Sequence, residues 1–118
     1  MVNHALKLSA LASSAVHSLA ILTLGPPGPY ILFVLGACGT SVWNHAVTSE
    51  VAKWADRGMM AAGTVITLLI APTVPLRLLM LLTVATYAAG KYARSTAIHM
   101  CAHWMITFIN LHIMLSFL

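Results

Sequence analysis

The sequence predicts an all-α integral membrane protein, a compact bundle of about five transmembrane helices, and three observations carry that prediction. Of 118 residues, 60% are hydrophobic and only 7% are charged, whereas a soluble domain carries roughly a quarter of its residues charged. Apolar runs recur along the chain, each close to the ~20 residues that a spanning helix requires. Glycine, proline and short polar intervals separate those runs, and no alternating strand pattern is sustained.

Each element follows from that punctuation. GPPGP at 25–29 and APTVP at 71–75 reverse the chain, because proline and glycine together break a helix. The polar intervals TSEVAKWAD at 48–56 and GKYARS at 90–95 supply two more boundaries. The expected helices are therefore about 3–24, 29–48, 54–71, 74–90 and 95–118, all within one domain, 1–118. The third and fourth are short, near the lower limit of ~17 residues for a span. The first run, with Lys7 ahead of it, is read as a span rather than a cleaved leader, because LTLGPPG offers no small-x-small cleavage pattern.

Five crossings also set the sidedness. Lys7, Lys53, Arg57, Lys91 and Arg94 fall on the side of the N-terminus, and Arg77 alone falls on the other. The positive-inside rule then makes the N-terminus cytoplasmic and puts the C-terminus on the opposite side. Trp43, Trp54 and Trp104 lie at the same depth as an interfacial aromatic belt. The net charge of +4 rests on six basic and two acidic residues. These basic residues never cluster, so nucleic acid is not an expected partner, whereas anionic lipid headgroups suit them. Cys38 and Cys101 both sit in apolar runs and are expected to be buried small hydrophobes.

The same threading concentrates polar chemistry. Ser41 and His45 lie near the cytoplasmic end of helix 2, Asp56 at the start of helix 3, and His99 and His103 in the first turns of helix 5. His99 and His103 are spaced i,i+4, which puts both imidazoles on one face, one turn apart. With His45 they make three nitrogen donors, and three protein ligands plus water is the arrangement of a catalytic zinc. Such a zinc lowers the pKa of its water towards ~7. Asp56 is placed to take or orient a proton, and Ser41 to hydrogen-bond a ligand or a substrate carbonyl. The plainer reading makes Ser41 a helix contact and Asp56 an N-cap. Against it stands the convergence, since ionisable groups inside membrane helices are costly.

The order Ser41-x3-His45-x10-Asp56, followed by His99-x3-His103, resembles that of the alkaline ceramidases. These belong to the CREST superfamily of membrane hydrolases, which includes the adiponectin and progestin receptors and the Per1-type lipid remodelling proteins. The resemblance implies zinc ligation by His45, His99 and His103, with Asp56 working beside the metal-bound water and Ser41 supporting the site. It implies hydrolysis of an amide or ester bond in a ceramide-like lipid drawn from the bilayer, by a chain that acts alone, as a homo-oligomer or in a larger membrane complex. Members of the family have seven spans, and this chain has room for five.

Two rival readings draw on other residues. His17 on helix 1 and His112 on helix 5 reach similar depth, and two imidazoles facing across a bundle can ligate haem in an electron-transfer or anchor subunit. Histidine chains can also relay protons, so a proton pathway or accessory subunit is the third reading.

Overall fold

The structure, a computed structural model, describes residues 2–118. Five helices follow one another: α1 (His4–Leu24), α2 (Gly28–Ala46), α3 (Glu50–Ile70), α4 (Val74–Tyr92) and α5 (Thr96–Ser116). Their ends have local causes. Asn3, Ser49, Thr73 and Ser95 each accept a hydrogen bond from the backbone N–H three residues on, capping α1, α3, α4 and α5. Such a bond satisfies a donor that the helix itself leaves unpaired. Gly25, at φ 56°, ends α1 in the left-handed conformation that glycine adopts without steric cost. Pro29 in the first turn of α2 loses nothing, because its missing N–H would be unpaired there anyway.

The helices pack in a closed ring. α1 lies between α2 and α5, α3 between α2 and α4, and α4 closes the ring onto α5. The α3–α4 seam is the loosest of these contacts and the α4–α5 seam the tightest. At that tight seam a Cβ on Gly90 would stand 2.9 Å from the backbone nitrogen of His99. Only glycine lets the two backbones approach so closely.

The distribution of side chains is inverted relative to a soluble bundle. Leu22, Leu32 and Leu69 are 83%, 74% and 74% exposed, while Ser9, Ser13, His17, His45, Asp56, Thr67, Thr83, His99, Thr107 and Asn110 are all buried. Leucine outside and polar residues inside is the economy of lipid, where polar groups must find partners within the protein. The apolar part of the core, around Val34, Met80, Ile109, Ile113 and Met114, lies towards the end of the bundle opposite the N-terminus.

Several expectations are corrected. Three helices, α1, α4 and α5, are long and apolar enough to cross a membrane, not all five. The two that fall short carry polar freight: α2 ends in Asn44 and His45, and α3 holds Glu50, Lys53, Asp56 and Arg57. Helix α3 begins at Glu50 rather than 54, because Ser49 caps it and Lys53 pairs with Glu50 one turn back. It is therefore 21 residues long, and α4 is 19, both longer than expected. Asp56 consequently lies about two turns inside α3 and is not its cap. Cys101 faces outward and is exposed, and Cys38 is half-buried.

Candidate metal centre

The ring brings the start of α1, the end of α2, the first turns of α3, the end of α4 and the start of α5 to one end of the bundle. His45, His99 and His103 meet there. Their rings stand edge to face, with centroids 5.2, 5.1 and 4.9 Å apart in the pairs 45–99, 45–103 and 99–103. One nitrogen from each lies no farther than 4.8 Å from the others, so the three form a group that could hold a metal ion. His45 and His99 are buried and His103 is half-buried.

Each imidazole is positioned by a different feature. His99 is fixed by the close α4–α5 approach at Gly90 and by Tyr87, whose ring meets it edge-on at 5.0 Å. His103 Nδ1 lies 3.0 Å from the Ser9 hydroxyl on α1. When Nδ1–H donates to that oxygen, Nε2 keeps its lone pair for a cation. His45 and His99 make no side-chain hydrogen bond among the described residues, so their nitrogens are left to one another.

Asp56 is 5% exposed, and its Oδ2 accepts a hydrogen bond from Asn44 Nδ2 at 2.9 Å. Asn44 ties it to the residue that precedes His45 in sequence, and it is not one of the grouped donors. Ser41, half-buried, makes no hydrogen bond among the described residues. Both line a cavity of about 140 Å³ with His99, His103 and Tyr87. The cavity continues along α5 past Ala102 and Ile106 to Asn110, a run of about 16 Å at 1.5 Å per residue. Met59, Gly63 and Thr67 of α3 and Met80, Thr83 and Val84 of α4 border it, so the loose α3–α4 seam looks into it.

The structure groups His45, His99 and His103, and Ser41 and Asp56 line the cavity that His99 and His103 also line. It does not bring His17 and His112 together. His17 is 3% exposed, with Nδ1–H donating to the Ser13 carbonyl at 2.7 Å and Nε2 accepting from Asn110 Nδ2 at 3.0 Å. His112 is exposed and stacks on Phe108 at 4.3 Å. Neither offers a ligand to a haem between helices. Sequence reasoning missed Ser9, Asn44 and Tyr87. Only Asn44 carried a signal, being an amide one residue before a candidate ligand in an apolar helix. Compared with known protein families, curated proteins and solved structures, the chain matches none.

Proposed function

We propose that this chain is a zinc-dependent intramembrane lipid hydrolase that cuts an amide or ester bond of a ceramide-like lipid. The observation that carries the reading is the meeting of His45, His99 and His103, with Asp56 lining the same cavity as His99 and His103. The donor set would suit zinc: three imidazoles, which leave one position of a tetrahedral ion for water or substrate. Zinc–nitrogen bonds of about 2.0 Å put tetrahedral ligands about 3.3 Å apart. The three nitrogens already lie within 4.8 Å of one another. The order of the five residues, which resembles that of the CREST hydrolases, points the same way.

When bound, zinc supplies a Lewis acid that activates water and polarises a carbonyl. The residues of the chain do the rest. Asp56, oriented by Asn44, accepts a proton as water adds to the carbonyl carbon. It then returns that proton to the leaving nitrogen or oxygen as the C–N or C–O bond breaks. The products are a carboxylic acid and an amine or alcohol. Ser41 donates a hydrogen bond to the carbonyl oxygen as its negative charge develops. The cavity along α5 receives the acyl chain, which reaches it from the bilayer through the α3–α4 seam. In this reading α2 and α3, less apolar than the other three, cross the membrane as members of the ring, and the N-terminus is cytoplasmic.

Elemental analysis and fatty-acid release from purified protein test the proposal. Wild type should carry one zinc per chain and release acid from a lipid amide or ester. Asp56→Asn should keep the zinc and lose about 100- to 10,000-fold in rate. Protein free of zinc, or an Asp56→Asn variant with full activity, would overturn it. A proton pathway finds support in the chain of hydrogen bonds from Thr107 through Ser13, His17 and Asn110 to Tyr30. The Asn110 amide interrupts it as a relay, and zinc-independent proton flux in liposomes would revive it.

A further inference from the structure

The mouth of the metal centre is cationic in a way that hydrolysis alone does not require. Lys91, in the last turn of α4, holds its ammonium 5.6 Å from the centre of the Tyr87 ring, and Tyr87 stands edge-on to His99 at 5.0 Å. The Tyr87 ring thus lies between the Lys91 ammonium and His99. Arg57, one residue beyond Asp56, reaches both Tyr87 and Lys91. Against these cations stands one buried carboxylate, Asp56, already engaged by Asn44. Glu50, the only other acid, turns away to Lys53 at 2.7 Å, and that is the single ion pair among the described residues. Lys91 has no hydrogen-bond or carboxylate partner there.

Lys91 is exposed and Arg57 half-buried at this end of the bundle, and a lysine near a cation site works against the cation, because like charges repel. The arrangement becomes favourable when an anion lies between the lysine and the metal. Two cations that converge from neighbouring helices match a phosphate, whose several oxygens accept charge-assisted hydrogen bonds from both. A neutral headgroup would leave Lys91 unused. We propose that the ligand of this centre is a phosphate-bearing acyl lipid, its phosphate held between Lys91 and Arg57 while its acyl carbonyl reaches the three histidines. In such lipids the phosphorus and the nearest acyl carbonyl are only a few bonds apart, which matches one ring width between Lys91 and His99. The catalytic part of this statement rests on the hydrolase reading, and the binding part does not.

Tryptophan fluorescence reads the binding directly, because Trp54 lies against Arg57 at 5.0 Å and Lys53 at 5.7 Å. Full-length protein in detergent micelles, incubated with zinc, is titrated with dihexanoyl phosphatidate, dihexanoylglycerol and inorganic phosphate. Phosphatidate should bind about tenfold more tightly than the neutral lipid of the same chains. Lys91→Ala should remove most of that advantage at unchanged zinc content, and Lys91→Arg should retain it. Equal binding of the two lipids, or a preference that survives Lys91→Ala, overturns the inference. So does a loss of preference just as large in Lys53→Ala, which would mean diffuse surface attraction. Inorganic phosphate binding as tightly as phosphatidate would overturn the lipid headgroup as the source of the anion. If phosphatidate binds as expected but neither it nor a ceramide-like amide is cleaved, the hydrolase reading falls and this one stands. If neutral lipid is cleaved and phosphatidate is not preferred, this one falls and the hydrolase reading stands.

Discussion

Two groups of buried histidine chemistry share this bundle, and they differ in what their nitrogens face. Around His17, every polar group has a protein partner: Ser13 with Thr107 at 2.6 Å, His17 with the Ser13 carbonyl and Asn110, and Asn110 with the Tyr30 hydroxyl at 3.2 Å. At the end of the bundle that holds the N-terminus, His45, His99 and His103 face one another, and only His103 has an outside hydrogen-bond partner, Ser9. Both groups are buried in the same kind of apolar bundle, so burial alone separates nothing. A histidine whose two nitrogens are matched inside the protein is a strut. Three histidines whose nitrogens converge on a common point are a site.

The contrast predicts opposite phenotypes for two similar substitutions. His99→Ala removes one of three donors and should reduce bound zinc from one per chain to none, with hydrolysis lost alongside it. His17→Ala should leave the zinc in place and lower stability instead. It strands the Asn110 amide away from water, a cost of about 1–3 kcal/mol. Metal analysis and thermal unfolding in detergent, run on both variants, separate the two. A His17→Ala protein that lost its zinc would erase the distinction.

Much of this is legible in the amino-acid order alone. Helix breaks at Gly and Pro locate the reversals between α1 and α2 and between α3 and α4 to within a residue or two. The up-and-down order of the five helices carries His45, Asp56, His99 and His103 to one end. What sequence could not supply has physical causes. The run from Glu50 to Asp56 reads as a polar loop by composition, yet Ser49 caps it and the Glu50–Lys53 pair, one turn apart, supports a helix. Ser9 is invisible because serine is common in membrane helices and nothing local marks which one faces a histidine on another helix. Lys91 and Tyr87 share one face of α4, but only the close α4–α5 approach at Gly90 reveals that this face meets His99. Cys101 departs from expectation because apolar surroundings in sequence mean burial in water but exposure in lipid.

Ser9 offers a gentler test of the same contrast, since it touches the site through a single bond. Its hydroxyl lies 3.0 Å from His103 Nδ1 and, on the zinc reading, selects the tautomer that leaves Nε2 for the metal. Ser9→Ala should weaken zinc affinity by about 10- to 100-fold, the usual effect of losing a partner behind a ligating histidine. Ser9→Thr keeps the hydroxyl and should restore most of it. Competition with a chromophoric chelator measures both. If Ser9→Ala changed unfolding temperature and not zinc affinity, Ser9 would belong with the struts.

The smallest expected effect lies at the far end of the matched group. Tyr30→Phe deletes the hydroxyl that donates to Asn110 Oδ1 but keeps the ring, which packs edge-on against Phe117 at 5.4 Å and beside Phe33 at 6.2 Å. Asn110 still donates to His17, so the strut loses one bond and no packing. Interhelical hydrogen bonds of this kind contribute about 0.6 kcal/mol in membrane bundles and rarely above about 1.7 kcal/mol. Tyr30→Phe should therefore lower stability by that small amount and leave zinc affinity unchanged. A fall in zinc affinity here would mean that Asn110, His17, Ser13 and Thr107 carry strain to the His103 carbonyl, which Thr107 holds at 2.7 Å. The two groups would then act as one unit, because a strut that tunes the metal is part of its site.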